Sequence, residues 1–111
     1  MQETYRKEIV QHIIRNSLEI HLLRIAQTQP AWGYQIKKQV EKQFNIKLRH
    51  GALYPALKNL EKRGFLECRK QQMNGRSRKV YVTTEEGKVY LQTYRDVIKE
   101  LLEDNAAALS G

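Results

Sequence analysis

Residues 33–84 constrain the fold most strongly, because two helical patterns in this segment are followed directly by a hairpin signal. Apolar residues at helical spacing predict one helix that starts near Gly33 and a second helix over 50–63. These residues are Ile36, Val40 and Phe44 in the first helix and Leu53, Leu57 and Leu60 in the second. Asn74 and Gly75 then form a pair typical of tight hairpin turns, because both tolerate positive φ angles. The β-rich runs on either side span 65–70 and 78–83.

Helical patterns also precede this segment. An amphipathic helix is predicted over 3–15. A second, largely apolar helix is predicted to start at about Ser17 and to end before Pro30, because proline disfavours a helical conformation in the residue that precedes it. Asn16 and Glu19 have the spacing of a capping box for this second helix. Two helices are therefore expected before the segment that most constrains the fold.

A last helix is predicted after the hairpin. Gly64 is expected to end helix 50–63 in a left-handed conformation, and either Thr83 or Thr84 is expected to cap the last helix. The predicted fold class is therefore mainly α with a small β-hairpin. We expect a winged helix-turn-helix with an N-terminal helix over 1–84 and a long C-terminal dimerisation helix over 85–111.

The positive charge of the chain is confined to the segment with the hairpin. Residues 33–84 contain 13 lysines and arginines and three acidic residues, a net charge of +10. The rest of the chain has seven basic and nine acidic residues, a net charge of −2. Cationic side chains concentrated on one folded unit are typical of a polyanion-binding surface, because neutralising phosphates releases condensed counterions. Double-stranded DNA is the leading candidate partner.

Several other classes of protein are disfavoured. No apolar run approaches 18 residues, which argues against a membrane span, and the single cysteine, Cys68, suits a cytoplasmic protein. We expect neither an enzyme nor a cofactor, because the sequence has no nucleophile elbow, phosphate loop or paired-carboxylate motif. No metal site is predicted, because His12, His21 and His50 have no metal-ligand spacing with cysteine or acidic residues.

The last predicted helix has an apolar stripe that a domain this small cannot cover. The stripe recurs at three- and four-residue steps over about 20 residues, a length of roughly 30 Å by helical rise. We infer that it packs against a second copy of the chain, together with an apolar side of the first helix. The residues predicted at this homodimer interface are Ile9, Ile13, Tyr90, Leu91, Tyr94, Val97, Ile98, Leu101 and Leu102.

In a winged helix-turn-helix, the second helix of the pair enters the major groove of DNA. Gly51 and Ala52 are short and would let the start of this helix approach the base edges. Tyr54 offers a hydroxyl and an apolar ring, and Lys58 can reach phosphates. At the tip of the wing, Arg76 is expected to enter a narrow minor groove, where the potential is most negative.

Four blocks of the sequence occur in the order and spacing of one known family. The blocks are Gly33-Tyr34-Gln35-Ile36, Gly51-Ala52-Leu53-Tyr54-Pro55-Ala56-Leu57, Leu60-Glu61-Lys62-Arg63-Gly64-Phe65-Leu66 and Arg78-Lys79-Val80-Tyr81-Val82-Thr83-Thr84-Glu85-Glu86-Gly87. Through them, residues 18–91 resemble the PadR-like transcriptional regulators. The resemblance implies a homodimeric, cytoplasmic, prokaryotic regulator, usually a repressor, whose C-terminal helix forms the dimer. Some members bind flat aromatic molecules at the dimer centre, so the resemblance also admits a small aromatic effector.

The resemblance adds the wing residues Arg78 and Lys79 and the helix residue Pro55 to the predicted contacts with DNA. The full predicted DNA-binding set is Tyr34, Lys37, Arg49, His50, Gly51, Ala52, Tyr54, Pro55, Lys58, Arg76, Arg78 and Lys79. Trp32 is expected to seal the start of the third helix against the core; the alternative is that its ring stacks on an effector.

The leading function is a sequence-specific DNA-binding repressor that recognises a pseudo-palindromic operator as a homodimer. Two alternatives stay open. In the first, the fold is a protein-interaction module whose basic surface meets an acidic protein. In the second, the protein is a nucleoid-type DNA binder with no specific operator.

Overall fold

The computed structural model describes residues 2–103, apart from the side chains of residues 50 and 73. Within this range, five helices and three strands follow one another in the order α1 (Gln2–Asn16), α2 (Leu18–Thr28), β1 (Ala31–Trp32), α3 (Gly33–Phe44), α4 (His50–Lys62), β2 (Leu66–Met73), β3 (Arg76–Thr83) and α5 (Glu85–Leu102). The predicted fold class is confirmed. The predicted boundaries of the first four helices agree with those of α1, α2, α3 and α4 to within two residues. Residues 104–111 of the predicted C-terminal segment lie outside the described residues.

Helix α2 lies at the centre of the protein, as its largely apolar sequence predicts. It packs against α1, α3, α4, α5 and β3. The buried residues that form the shared core are Ile14, Leu22, Leu23, Ile25, Ala26, Ala31, Ile36, Val40, Leu53, Leu57, Leu60, Leu66 and Tyr81. Because α3 and α4 contribute only one apolar stripe each to this core, their opposite sides are left to solvent.

The wing is a hairpin of β2 and β3. Asn74 and Gly75 have φ angles of 53° and 76°, which confirms the predicted turn. The strands continue up to this turn, with Met73 opposite Arg76, so the hairpin is longer than the predicted β-rich runs. A longer hairpin carries its tip farther from the core.

A third strand, β1, was not expected from the sequence pattern. Ala31 lies opposite Tyr81 and Trp32 lies opposite Val80, which gives an antiparallel sheet in the order β1-β3-β2. A strand of two residues is too short to show a periodicity in the sequence, and its partners on β3 lie far along the chain. Because β1 directly precedes α3, its pairing with β3 connects the wing to the start of α3.

The predicted capping box at the start of α2 is wrong. Asn16 belongs to α1, and its side-chain amide donates to the carbonyl of His12 at 2.9 Å. Ser17 is the N-cap residue of α2, but its hydroxyl donates back to a carbonyl of α1. Glu19 instead accepts a hydrogen bond from the Asn59 side chain of α4 at 2.8 Å. The polar side chains at this joint therefore hold α1 and α4 rather than cap α2.

The start of α5 is fastened to the end of α4. Gly64 has a φ of 79°, which confirms the predicted left-handed end of α4. Of the two candidate caps, Thr84 is the one used: its hydroxyl oxygen accepts from the Gly87 amide at 3.0 Å, and its hydroxyl donates to the Gly64 carbonyl at 2.7 Å. Thr83 is buried and donates to the carbonyl of Leu23 at 2.8 Å. The wing, α2 and α5 are therefore joined at one point.

Gly87 lets α5 lie directly against the backbone at the start of the wing. A Cβ atom at this position would lie 2.3 Å from the Phe65 carbonyl oxygen and 2.7 Å from Cγ2 of Thr83. Beside this contact, the rings of Phe65 and Tyr90 stack with their centroids 4.4 Å apart. The Arg63 guanidinium lies 4.8 Å from the centre of the Phe65 ring and 5.1 Å from that of Tyr90. These contacts hold α5 to the end of α4.

Candidate nucleic-acid interface

The outer side of α4 carries the residues expected to enter a groove. Tyr54 is 51% exposed, and Gly51, Pro55 and Lys58 are exposed as well. Pro55 has no amide hydrogen, so the Gly51 carbonyl has no donor four residues later in the helix. This side of α4 therefore presents the Tyr54 and Lys58 side chains to solvent.

The loop before α4 is fixed by a carboxylate of α3. The Glu41 side chain accepts a hydrogen bond from the Leu48 amide at 2.8 Å, and Asn45 ends α3 in a left-handed conformation with a φ of 53°. Another acidic residue of the basic segment, Glu67, forms an ion pair with Arg69 at 3.2 Å on β2. Two of the three acidic groups in this segment are therefore engaged locally, which leaves the surrounding surface positive.

Residues 32–34, which we call the WGY segment, join the three elements of the interface. At the middle position, Gly33 is buried, and a Cβ atom there would lie 3.3 Å from the Tyr54 ring. The absence of a side chain at Gly33 lets the Tyr54 ring pack against the first residue of α3. The exposed tyrosine of α4 is therefore positioned by α3 as well as by its own helix.

Two cations lie over the two rings of the WGY segment. The Arg78 guanidinium carbon from β3 lies 3.8 Å from the centre of the Trp32 ring, and the Lys38 ammonium lies 5.4 Å from the centre of the Tyr34 ring. The two ring centroids are 5.7 Å apart. Cations at these distances are attracted by the ring quadrupole. One aromatic pair therefore holds a cation from the wing and another from α3.

The wing carries like charges directly opposite each other. Lys70 on β2 pairs in register with Lys79 on β3, and both side chains are exposed. Such a pair destabilises a sheet unless an anion lies nearby. Arg76, also exposed, lies directly after the turn. We use the name cationic surface for the set Tyr34, Lys38, Tyr54, Lys58, Arg76, Arg78 and Lys79.

Other members of the predicted DNA-binding set border clefts or are partly buried. Ala52 and Pro55 line a cleft of about 500 Å³ that residues of α1, α2 and α5 complete. Arg49 lies in an adjacent cleft of about 490 Å³ between α1 and the loop before α4. Lys37 is half-buried on α3, and the side chain of His50 lies outside the described residues. The structure therefore brings Tyr54 and Arg78 against the WGY segment, which contains Tyr34. The role of every residue of the set in DNA binding stays a prediction.

The sequence pattern does not predict that Trp32 and Lys38 belong to this site. The one local signal was an aromatic residue on each side of Gly33. The partner of Trp32 is Arg78, which lies far along the chain and reaches the ring only because β1 pairs with β3. Periodicity within one element cannot reveal such a contact.

A second exposed surface is apolar. Large apolar side chains on α1 and α5 are exposed, which is unusual for a stripe of this size on a monomer. We use the name apolar surface for the set Tyr5, Ile9, Ile13, Val97, Leu101 and Leu102. Leu91 is only 1% exposed and packs inside the protomer's own core, so it is removed from the predicted dimer interface. Tyr90, Tyr94 and Ile98 are half-buried.

The surroundings of Cys68 do not favour the reactive, thiolate form of its side chain. It is half-buried on β2, opposite Tyr81. Burial and the charge of Glu61 raise the pKa of its thiol, although Lys79 and Lys70 act in the opposite direction. A raised pKa lowers the fraction of thiolate, which is the nucleophilic form. Among residues 2–103, no group of three or more potential metal ligands comes together, and no helix is long and apolar enough to cross a membrane.

Comparisons with known proteins agree with this geometry. The model of the family described as "Transcriptional regulator PadR-like family" matches residues 22–93. A transcriptional regulator of Mycobacterium tuberculosis, Rv3488, is 28% identical over 106 residues, which cover 94% of this chain and 88% of the relative. Two solved structures of PadR family regulators are also similar to this chain. The one from Clostridium difficile has a TM-score of 0.68 and 30% identity, and covers 76% of this chain and 92% of its own. The one from Eggerthella lenta has a TM-score of 0.68 and is 27% identical, and the match covers 94% of this chain and 97% of the E. lenta chain.

The matched region contains the features described above: the WGY segment, α4, the wing and the Gly87 contact with Phe65. It covers well over half of the chain, and the fold of the solved relatives extends over most of it. The chain therefore belongs to the PadR-like family of transcriptional regulators.

Proposed function

We propose that the protein is a homodimeric repressor that binds a pseudo-palindromic operator in double-stranded DNA, with one winged helix-turn-helix in each protomer. The observation that supports this best is the arrangement around the WGY segment. There, Tyr54 of α4, Arg78 of the wing and Lys38 of α3 are held by rings and by a glycine of one short segment. A rigid, cationic and partly aromatic surface suits a duplex with a fixed spacing of phosphates and base edges.

In this proposal, α4 enters the major groove and the wing lies along the adjacent backbone. The groove is about 12 Å wide and admits one helix with its exposed side chains. Tyr54 then meets base edges, while Lys58 and Arg76 meet phosphates. Contacts to phosphate supply most of the affinity, and contacts to bases supply the preference for one sequence.

The apolar surface supports the homodimer. Tyr5, Ile9 and Ile13 recur every four residues along α1, and Val97 and Leu101 do so on α5. A second copy of the same chain would cover both stripes in one symmetric interface. Two α4 helices would then enter successive major grooves about 34 Å apart, which requires a pseudo-palindromic site.

Three finer statements belong to the same proposal. The protein acts as a regulator and not as an enzyme, it works in the cytoplasm of a prokaryote, and it represses. A flat aromatic effector at the dimer centre stays a prediction of the family resemblance.

Footprinting on the DNA upstream of the protein's own gene, with random duplex as competitor, tests this function. We expect one protected pseudo-palindrome with two half-sites, and a dimer in solution at micromolar concentration. Uniform protection along the fragment would favour the nucleoid-type binder. Weak binding without sequence preference, together with tight binding to an acidic protein, would favour the interaction module.

A further inference from the structure

Arg78 differs from its neighbours on the wing in one respect. Arg76, Ser77 and Lys79 are exposed, whereas Arg78 is half-buried. Its guanidinium carbon lies 3.8 Å from the centre of the Trp32 ring, which is the shortest of the five cation–ring distances found among residues 2–103. The most restrained cation at this end of the wing is therefore the one that faces Trp32.

Trp32 is itself held from several directions. Its backbone pairs with Val80 in the sheet, and its amide donates to the Gln35 side chain at 3.2 Å. Its ring contacts Tyr34, with 5.7 Å between centroids. These contacts hold the Trp32 ring in one position. Any side chain that stacks on it is fixed relative to α3 and, through Gly33 and Tyr54, relative to α4.

A stacked guanidinium keeps its hydrogen-bonding edge available. Arginine stacks through its planar face, and its N–H groups lie in the plane of the group, where they can meet a phosphate bidentately. A lysine in the same place would be a point charge without that fork. The Trp32 contact can therefore orient Arg78 without blocking the groups that bind phosphate.

We propose that Trp32 is a positioning residue for DNA binding that acts through Arg78: its ring holds the guanidinium at one orientation and so sets where β3 of the wing contacts the DNA backbone. The inference rests on the proposed function and deepens it. A purely structural Trp32 would seal the start of α3 and would influence binding only by changing stability. The two roles differ in whether the effect of Trp32 requires Arg78.

Fluorescence tests the contact in solution without DNA. Trp32 is the single tryptophan of the chain, so the emission of the protein reports on this ring alone. In Arg78→Gln, we expect a red-shifted emission and stronger quenching by acrylamide, because water replaces the guanidinium over the ring. Arg76→Gln is the matched control, because Arg76 lies two residues from Arg78, carries the same charge and is exposed. The emission of this variant should equal that of the wild type. Equal emission in all three proteins would overturn the contact.

A double-mutant cycle tests the action through Arg78. Trp32→Leu removes the ring face, Arg78→Gln removes the charge, and Trp32→Leu/Arg78→Gln combines them. We expect each single variant to bind operator DNA roughly fivefold more weakly, with the slope of log affinity against log salt reduced by about 1. The double variant should bind no more weakly than Arg78→Gln alone, and Trp32→Phe should retain most of the affinity because it keeps a ring face.

Full additivity in the cycle, or unchanged binding in Trp32→Leu, would overturn the proposal. If Trp32→Leu does not fold, Arg78→Lys replaces it: this variant keeps the charge but loses the planar stack. It should bind more weakly than the wild type, because it loses the bidentate fork, but less weakly than Arg78→Gln, because it keeps the charge; wild-type binding would contradict the inference. Failure of the wild type to bind any duplex would remove the proposed function itself. Weakened binding in Tyr54→Ala beside normal binding in Trp32→Leu would remove only the positioning role.

Discussion

The cationic surface and the apolar surface differ in what holds them. On the cationic surface, Tyr54 packs on Gly33, Arg78 stacks on Trp32, and Lys38 lies over Tyr34. On the apolar surface, the side chains project from α1 and α5, and Leu101 is 73% exposed. The first surface is organised by contacts within one chain, whereas the second is left exposed by the residues that the structure describes. In the proposed homodimer, the protomer would therefore set the geometry of each DNA-binding unit, and the packing of the two copies would set the spacing between them.

Helix α5 connects the two surfaces. Its first turns are fixed by the Thr84 cap and by the contact of Gly87 with the Phe65 carbonyl, next to the end of α4. Its last turns carry Val97 and Leu101. In the proposed homodimer, a change in how two copies pack along α5 would therefore move the two α4 helices.

The largest effect is expected from Gly87→Ala, which attacks the joint. The new Cβ would meet the Phe65 carbonyl oxygen and the Thr83 methyl group, and a backbone oxygen cannot move aside easily. We expect the free energy of unfolding to fall by about 3 kcal/mol, measured by urea denaturation. Gly51→Ala is the matched control, because nothing lies within 4 Å of a Cβ there and alanine is the better helix former. An equal stability change in both variants would contradict the described joint.

The next effect concerns the apolar surface. Replacing Val97 and Leu101 together by glutamate should give a monomer at micromolar concentration, measured by light scattering after size exclusion. Operator affinity should fall by about 100-fold, because the two half-sites are then bound independently. Gln92→Glu adds a charge to the opposite, polar side of α5 and should leave the dimer intact. A dimer that survives the double replacement would show that the apolar surface is not its interface.

A smaller effect is expected at the cationic surface. Tyr54→Ala should reduce the preference for operator over random duplex by about tenfold, the value of one good base contact. Tyr54→Phe keeps the ring on Gly33 and removes only the hydroxyl, so it separates hydrogen bonding to bases from packing. Competition titrations with the two duplexes give the measurement. Losses of equal size on operator and on random duplex would argue against base recognition by Tyr54.

The smallest effect is a pH dependence at the joint of α1, α2 and α3. His21 packs edge-on against Phe44, and its Nδ1 is buried with no hydrogen-bond partner in the part of the chain that the structure describes. Burial, followed by the charge of Arg24, lowers the pKa of His21 below the ordinary value of 6.5. The unfolded chain therefore binds a proton more readily than the folded protein, so stability should decline as the pH falls below about 6.5. Thermal unfolding between pH 7 and 5 measures this decline.

His21→Leu should flatten the pH dependence in that window, and His12→Gln, at an exposed position, is the control. A decline of the same size in His21→Leu and in the wild type would mean that other groups cause it.

Most of the fold follows from local sequence patterns. The stripe of Leu53, Leu57 and Leu60 and the pair Asn74 and Gly75 are local signals, and the structure confirms both. The capping box at Asn16 failed because α1 continues through Asn16, whose side-chain amide donates to the carbonyl of His12 in the same helix. The spacing of two residues does not show where one helix ends and the next begins.

The candidate site was less accessible from the sequence. Residue type predicts a role for Tyr54, and the family resemblance adds Arg78, but the contacts that position them depend on β1 pairing with β3 and on α3 meeting α4. Leu91 shows the same limit in the other direction. Its spacing matches the exposed stripe, yet it lies in the protomer's own core, since periodicity alone does not tell which neighbour covers a side chain.

Chemical-shift mapping of the backbone amides during titration with operator duplex shows which surface of the protein binds DNA. We expect the largest shifts in residues 32–38, 50–58 and 74–79, and small changes in the outer turns of α1 and α5. Shifts confined to α1 and α5, or no shifts even at low salt, would contradict the claim that the surface organised around the WGY segment is the one that binds DNA.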